Sequence, residues 1–125
     1  MKVDTGLYPF ISPMRLFHSR RKCEKWCMRH IGDVPDFHQS DAQTFTWNGI
    51  NVVLIETHGS QYKSEWEDAL LIHEAYHVVC NHLRELGETD AGEETVAYMI
   101  QCTAGALIEA HHAWLEKKNG SVQQG

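Results

Sequence analysis

The run QTFTWNGINVVLIET, residues 43–57, constrains the fold of this chain more than any other stretch. Two runs of β-branched and aromatic residues flank Asn48-Gly49, a dipeptide that accepts the positive φ angles of a two-residue hairpin turn. The spacing predicts antiparallel strands over 44–47 and 50–56. A lone hairpin is marginal in water, so its apolar face has to be covered by a helix. At 125 residues the chain is long enough for one core, and a single domain over 1–125 is expected, frayed at 1–11 and 118–125.

Three segments read as helices. SPMRLFHSRRKCEKWCMRHIG, residues 12–32, opens with Ser12 as N-cap and Pro13 at the first helical position and stops at Gly32. Leu16, Cys23, Trp26, Cys27 and Ile31 form its expected buried stripe. SEWE, residues 64–67, is a capping box, with Ser64 as N-cap and Glu67 at N3. The helix it starts carries Trp66, Leu70, His73, Tyr76, His77 and Cys80 on one broad face. A second box, DAGE at 90–93, starts the last helix, and Val96, Ala97, Ile100, Ala104, Leu107, Ile108 and Trp114 keep helical spacing to about Lys117. The fold class read from these elements is α+β: an N-terminal helix, a short antiparallel sheet and two further helices.

Charge is unevenly spread. The formal net charge is -6, yet residues 1–30 carry seven Lys/Arg against Asp4 and Glu24, leaving four Lys/Arg against fifteen Asp/Glu in the rest. An acidic body repels nucleic acid. A nucleic-acid contact is therefore expected to use the N-terminal segment, and the basic helix between Arg15 and Arg29 is the candidate surface for a protein or nucleic-acid partner, its plainer reading being a solvated face. No run reaches the roughly 20 apolar residues of a membrane helix, and the N-terminus lacks the apolar core of a signal peptide. A soluble, cytoplasmic protein is expected. The four cysteines sit inside helical patterns and read as free thiols. Cys23 and Cys27, with His30 or His18, form a weaker soft-metal option. His111 and His112, near the end of the last helix, are expected to face solvent in part.

LLIHEAYHVV, residues 70–79, carries the chemistry. His73 and His77 are four apart on a helix, so both imidazoles project from one side and can converge on one cation. Glu74, turned by about 100°, stands beside that cation as a base for a bound water. The triplet H-E-x-x-H is short, and two ordinary histidines on a helix are its plain alternative. A catalytic zinc takes three protein ligands, so a third must follow. His82 lies at the wrong spacing for the longer H-E-x-x-H-x-x-G-x-x-H pattern. Glu93 and Glu94 remain, and Glu94 is preferred because Glu93 is drawn to the cap. For Glu94 to reach the level of His77, the motif helix has to end near Asn81, which makes HLRELGET, residues 82–89, a connecting loop.

HEAYH followed by EETVAY resembles the gluzincin-type zinc metallopeptidases, whose second element is E-x-x-A or a close variant, matched by Glu94 and Ala97. The compact spacing is most similar to ImmA/IrrE-like domains and small zincin-like proteins carried by phages and mobile elements. The resemblance covers about residues 43–101. It implies a minimal zincin-like fold, zinc (Zn2+) held by His73, His77 and Glu94, and Glu74 as general base. It also implies a strand before the motif helix that aligns an extended peptide substrate, for which 50–56 is the candidate. Tyr98 stands where many members carry a carboxylate or amide supporting the first histidine. Tyr98, Tyr76 and His58 are the candidate donors to an oxyanion. The function expected on this basis is peptide-bond hydrolysis, with a non-catalytic zinc-binding protein that docks a partner as the alternative.

Overall fold

The structure is a computed structural model that describes residues 1–4, 14–37, 40–56 and 64–124. Its elements run β1 (Lys2–Val3), β2 (Met14–Phe17), α1 (Arg20–His30), β3 (Ala42–Trp47), β4 (Ile50–Ile55), α2 (Ser64–Glu85) and α3 (Glu93–Gln124). Among the described residues these form a small α+β domain with three helices and a four-stranded sheet of order β1-β2-β4-β3.

The hairpin forms as its turn residues demand. Asn48 and Gly49 both take positive φ, at 45° and 78°, and register β3 against β4 from Ala42↔Ile55 to Trp47↔Ile50. The sheet is mixed, however, because β2 pairs parallel to β4 while β1 pairs antiparallel to β2. This corrects the expectation of a purely antiparallel sheet and has one cause. Met14–Phe17, assigned to the first helix by its proline start, alternates buried and half-buried residues and completes the sheet as β2. The helix starts later, where the Ser19 hydroxyl accepts the Lys22 amide and caps it. Ser12 and Pro13 lie outside the described residues.

β4 is the spine of the domain. Val52 and Leu54 point to α1 and join Cys23, Cys27, Trp26 and Ile31. Val53 and Ile55 point to the other face and join Leu71, Ala75, Val78, Val79, Met99 and Leu107 from α2 and α3. Each of these fully buried aliphatic chains stabilises the fold by about 1.5–3 kcal/mol relative to exposure. A strand covered on both faces needs no polar alternation, which is why VVLI, residues 52–55, is a continuous apolar run.

The buried positions of α2 are Glu67, Leu71, Glu74, Ala75, Val78 and Val79. This face is turned by about one residue, roughly 100°, from the expected one: Trp66 and Tyr76 are half-exposed, at 52% and 53%. Apolar residues occupy both sides of this helix, and the sheet selects the side with the smaller, β-branched set. α2 also runs on to Glu85, so residues 82–85 are helical rather than a loop. Gly87, at φ 70°, ends it, with the Glu88 amide donating back to the Leu83 carbonyl. Val3 of β1 is buried beside Met14 of β2, and α3 runs to Gln124 through Gly120. Among the described residues no helix is long and apolar enough to cross a membrane.

Candidate metal centre

α2 presents His73 and His77 one turn apart on its exposed side and turns Glu74 inward, 3% exposed. The Nε2 atoms of the two histidines lie 3.2 Å apart, their rings crossing at 70°. Two nitrogens bound tetrahedrally to one zinc at about 2.0–2.1 Å are about 3.3 Å apart. The spacing of the pair is close to that distance. Ligand atoms of His73, Glu74 and His77 all lie within 4.8 Å of one another, and this is the one such donor group among the described residues.

β3 holds the buried carboxylate. The Thr44 hydroxyl donates to Glu74 Oε1 at 3.0 Å. One step along the same side of β3, Thr46 accepts from the Asn81 amide at 2.6 Å and donates to Asn51 Oδ1 at 2.8 Å. The threonines at 44 and 46 thus fasten strand to helix on both sides of His77. Between them opens a cavity of about 300 Å³ lined by Ser40, Ala42, Gln43, Thr44, His73, Glu74, His77 and Asn81. Among the described residues β3 is the outer strand of the sheet on this side, whereas β4 is paired along both edges. Residues 50–56, the strand expected to align a peptide, therefore offer no open edge.

Glu94 does not join the donor group. The register of the helix pair explains why: Glu67 meets His111 and Asp68 meets His112, which sets α2 and α3 antiparallel with facing residue numbers summing to 178–180. Glu94 is then level with residues 84–86, about 10–13 Å along the axis from His77. Extending α2 to Glu85 produces this offset. The α3 residues level with the two histidines, 101–107, contain no carboxylate and no histidine. Glu93 is exposed at the same end as Glu94.

The other expected participants are placed elsewhere. Tyr98 is 57% exposed and lines a separate cavity of about 560 Å³ with His82, Leu86 and Met99. Its hydroxyl is raised above the usual phenol range by a hydrogen bond with Cys102. His82 lines that second cavity as well, with Nε2 buried and lacking a hydrogen-bond partner among the described residues. Burial lowers its pKa. Tyr76 is the tyrosine nearer the motif, its ring centroid 6.1 Å from that of His77. His58 lies outside the described residues.

Cys23 and Cys27 are buried free thiols, and burial followed by the neighbouring Cys27 pushes Cys23 well above its usual range. They are core residues. His30 donates from Nδ1 to the Trp26 carbonyl at 3.1 Å. Of the basic residues expected on one helix, Arg15 stands on β2 over the Trp26 ring, and Arg20 pairs with Glu56 at 2.6 Å. Arg21, Lys22, Lys25 and Arg29 remain exposed on α1.

Sequence reasoning missed Thr44, Thr46 and Asn81. The one signal for the two threonines was polar residues at alternate positions of a strand otherwise suited to burial. No family model, curated protein or solved structure matches the chain.

Proposed function

We propose that the chain is a small zinc-dependent peptidase of zincin-like type, with His73 and His77 as metal ligands and Glu74 as general base. The observation that carries this reading is the 3.2 Å approach of the two Nε2 atoms beside a carboxylate held by Thr44. Two ordinary histidines on a helix surface have no need of a buried glutamate between them. Burying a charged carboxylate is costly unless it is fully hydrogen-bonded and paired, and the single bond from Thr44 engages Oε1 alone, so a carboxylate at this core position calls for a use.

Zinc, when bound, lowers the pKa of a water towards neutrality and polarises a carbonyl. Everything else falls to the chain. Oε1 of Glu74 is occupied by Thr44, leaving Oε2 to accept the proton of the attacking water and deliver it to the departing amine. The outer strand β3 borders the cavity and offers main-chain groups to an extended peptide by adding a strand. Side chains then contribute little to recognition, in keeping with a shallow, polar cavity.

Glu94 completes a three-ligand set only if residues 86–92 rearrange to bring the first turn of α3 down by about 10–13 Å. That requirement supports a second reading, a zinc-binding protein without hydrolytic activity, because catalytic sites use three protein ligands. One experiment separates the two. Wild type and Glu74→Gln are loaded with one equivalent of zinc and incubated with an unfolded protein such as reduced, carboxymethylated casein. Cleavage by wild type alone, with equal zinc in both, supports the peptidase; equal zinc and no cleavage by either supports the binding protein.

A further inference from the structure

Near the start of α2, about 9 Å along the axis from His73, three side chains from three segments form an unbroken chain of hydrogen bonds. Glu67 of α2 meets His111 of α3, Oε2 to Nε2, at 2.6 Å. Nδ1 of His111 meets Nε2 of His18, just after β2, at 2.9 Å. His111 is fully buried and Glu67 is 6% exposed. His18 is half-buried, stacks on the Trp114 ring at 3.9 Å, and lines a surface cavity of about 240 Å³ with Ser19, Lys22 and Phe17.

These contacts tie the tautomers to the charge of Glu67. An ionised Glu67 only accepts, so His111 must carry its proton on Nε2. Its Nδ1 is then bare, and His18 must donate to it from Nε2. That leaves Nδ1 of His18 as a lone pair at the end of the chain. The opposite arrangement satisfies the same contacts: protonated Glu67 donates to Nε2 of His111, Nδ1–H of His111 donates to Nε2 of His18, and His18 carries its proton on Nδ1. The two states use the same heavy-atom positions and differ by one proton.

We propose that His18, His111 and Glu67 form a proton relay that takes one proton from solvent at the cavity and stores it on the buried carboxylate. The proton adds to Nδ1 of His18; the Nε2 proton of His18 passes to Nδ1 of His111; the Nε2 proton of His111 passes to Oε2 of Glu67. Neither ring ends as an imidazolium, and the loaded relay carries no buried charge. The unloaded relay keeps one.

The surroundings favour this division. Among the described residues, the charged and titratable groups around the relay are Lys22 of α1, the Met1 ammonium beside β1, Arg15 of β2, Asp68 of α2, and His112 and Lys118 of α3. Asp68 is occupied by His112 at 2.8 Å. The cations lie at the His18 end, so positive charge is disfavoured on that ring and the proton is driven inward. Consistently, burial and then these neighbours hold His18 at about 3.

Nitrogen-15 NMR of the side-chain imidazoles in the purified full chain tests the relay, because each tautomer has its own pattern of ring-nitrogen shifts. At pH 8, His18 and His111 are expected as neutral Nε2–H tautomers. On acidification both should switch together to neutral Nδ1–H tautomers, while the Glu67 carboxyl carbon shifts with the same midpoint. In His18→Phe, the His111 switch and the Glu67 shift should both be lost from that midpoint. An imidazolium at either ring would overturn the proposal. So would a switch of one ring without the other, or no switch before the fold is lost.

Discussion

Glu67 and Glu74 lie seven residues apart on the buried face of α2, and a different layer binds each: Glu67 meets His111 of α3, and Glu74 accepts from Thr44 of β3. Two of the six core positions of this helix are thus carboxylates, and each ties α2 to a neighbour. Thr44→Val keeps the shape of the strand but leaves Glu74 Oε1 facing a methyl group. A buried acceptor deprived of its donor costs roughly 1–3 kcal/mol. Urea unfolding should show that loss, and Thr44→Ser should recover most of it.

Metal binding separates the histidines from the distant glutamate. His73→Ala and His77→Ala each remove a ligand, and zinc affinity measured by calorimetry should fall by more than the about 10–100-fold typical of outer-shell changes. The helix register leaves Glu94 at another level, so Glu94→Ala should bind zinc as wild type does. Loss of zinc in Glu94→Ala would mean that residues 86–92 rearrange on binding and that the three-ligand set expected from sequence forms.

Glu74→Gln removes the base while keeping the volume and an acceptor for Thr44. Zinc content and unfolding midpoint should stay close to wild type. Hydrolysis of carboxymethylated casein should drop by about 10²–10⁴-fold, the usual contribution of a positioned general base. A variant that retains full cleavage would remove Glu74 from the mechanism.

How much of this was legible in the sequence depended on the range of the interaction. The hairpin was readable because Asn48-Gly49 sets its own geometry within two residues. The pairing of His73 with His77 was readable because helix periodicity alone brings them together. β2 was not readable: Met14–Phe17 is four residues long and becomes a strand only through pairing with β4, 35 or more residues away. The face of α2 was ambiguous because apolar residues lie on both sides, and only the sheet decides between them. Ending α2 at Asn81 was inferred from what a third ligand required, and local helix propensity in HLRE overrode it. The Glu67–His111–His18 chain joins residues 44 and 93 apart, and no local pattern signals it.

The turn offers a test independent of any metal. Gly49 sits at φ 78°, and a Cβ there would meet Glu85 Oε2 at an unstrained 3.7 Å. Space is therefore available, and the cost of Gly49→Ala comes from the backbone. Holding alanine at positive φ should destabilise the fold by about 1–2 kcal/mol, measured by urea unfolding. Asn48, at φ 45°, should tolerate replacement by glycine with little change.

Acid should weaken the fold through His18. Unfolded, this imidazole takes up a proton near its ordinary value of 6.5, whereas in the fold burial, then His111, the N-terminal ammonium and Lys118 hold it at about 3. Between those values the unfolded chain binds more protons at this site than the native one, and stability rises with pH wherever that holds. The contribution of His18 is thus fully present above pH 6.5 and declines as pH falls towards 3. Urea midpoints measured from pH 7.5 to pH 4.5 should fall for wild type and fall less steeply for His18→Phe, whose ring can still stack on Trp114 but cannot take up a proton. Equal slopes in the two proteins would place the acid sensitivity of the fold elsewhere.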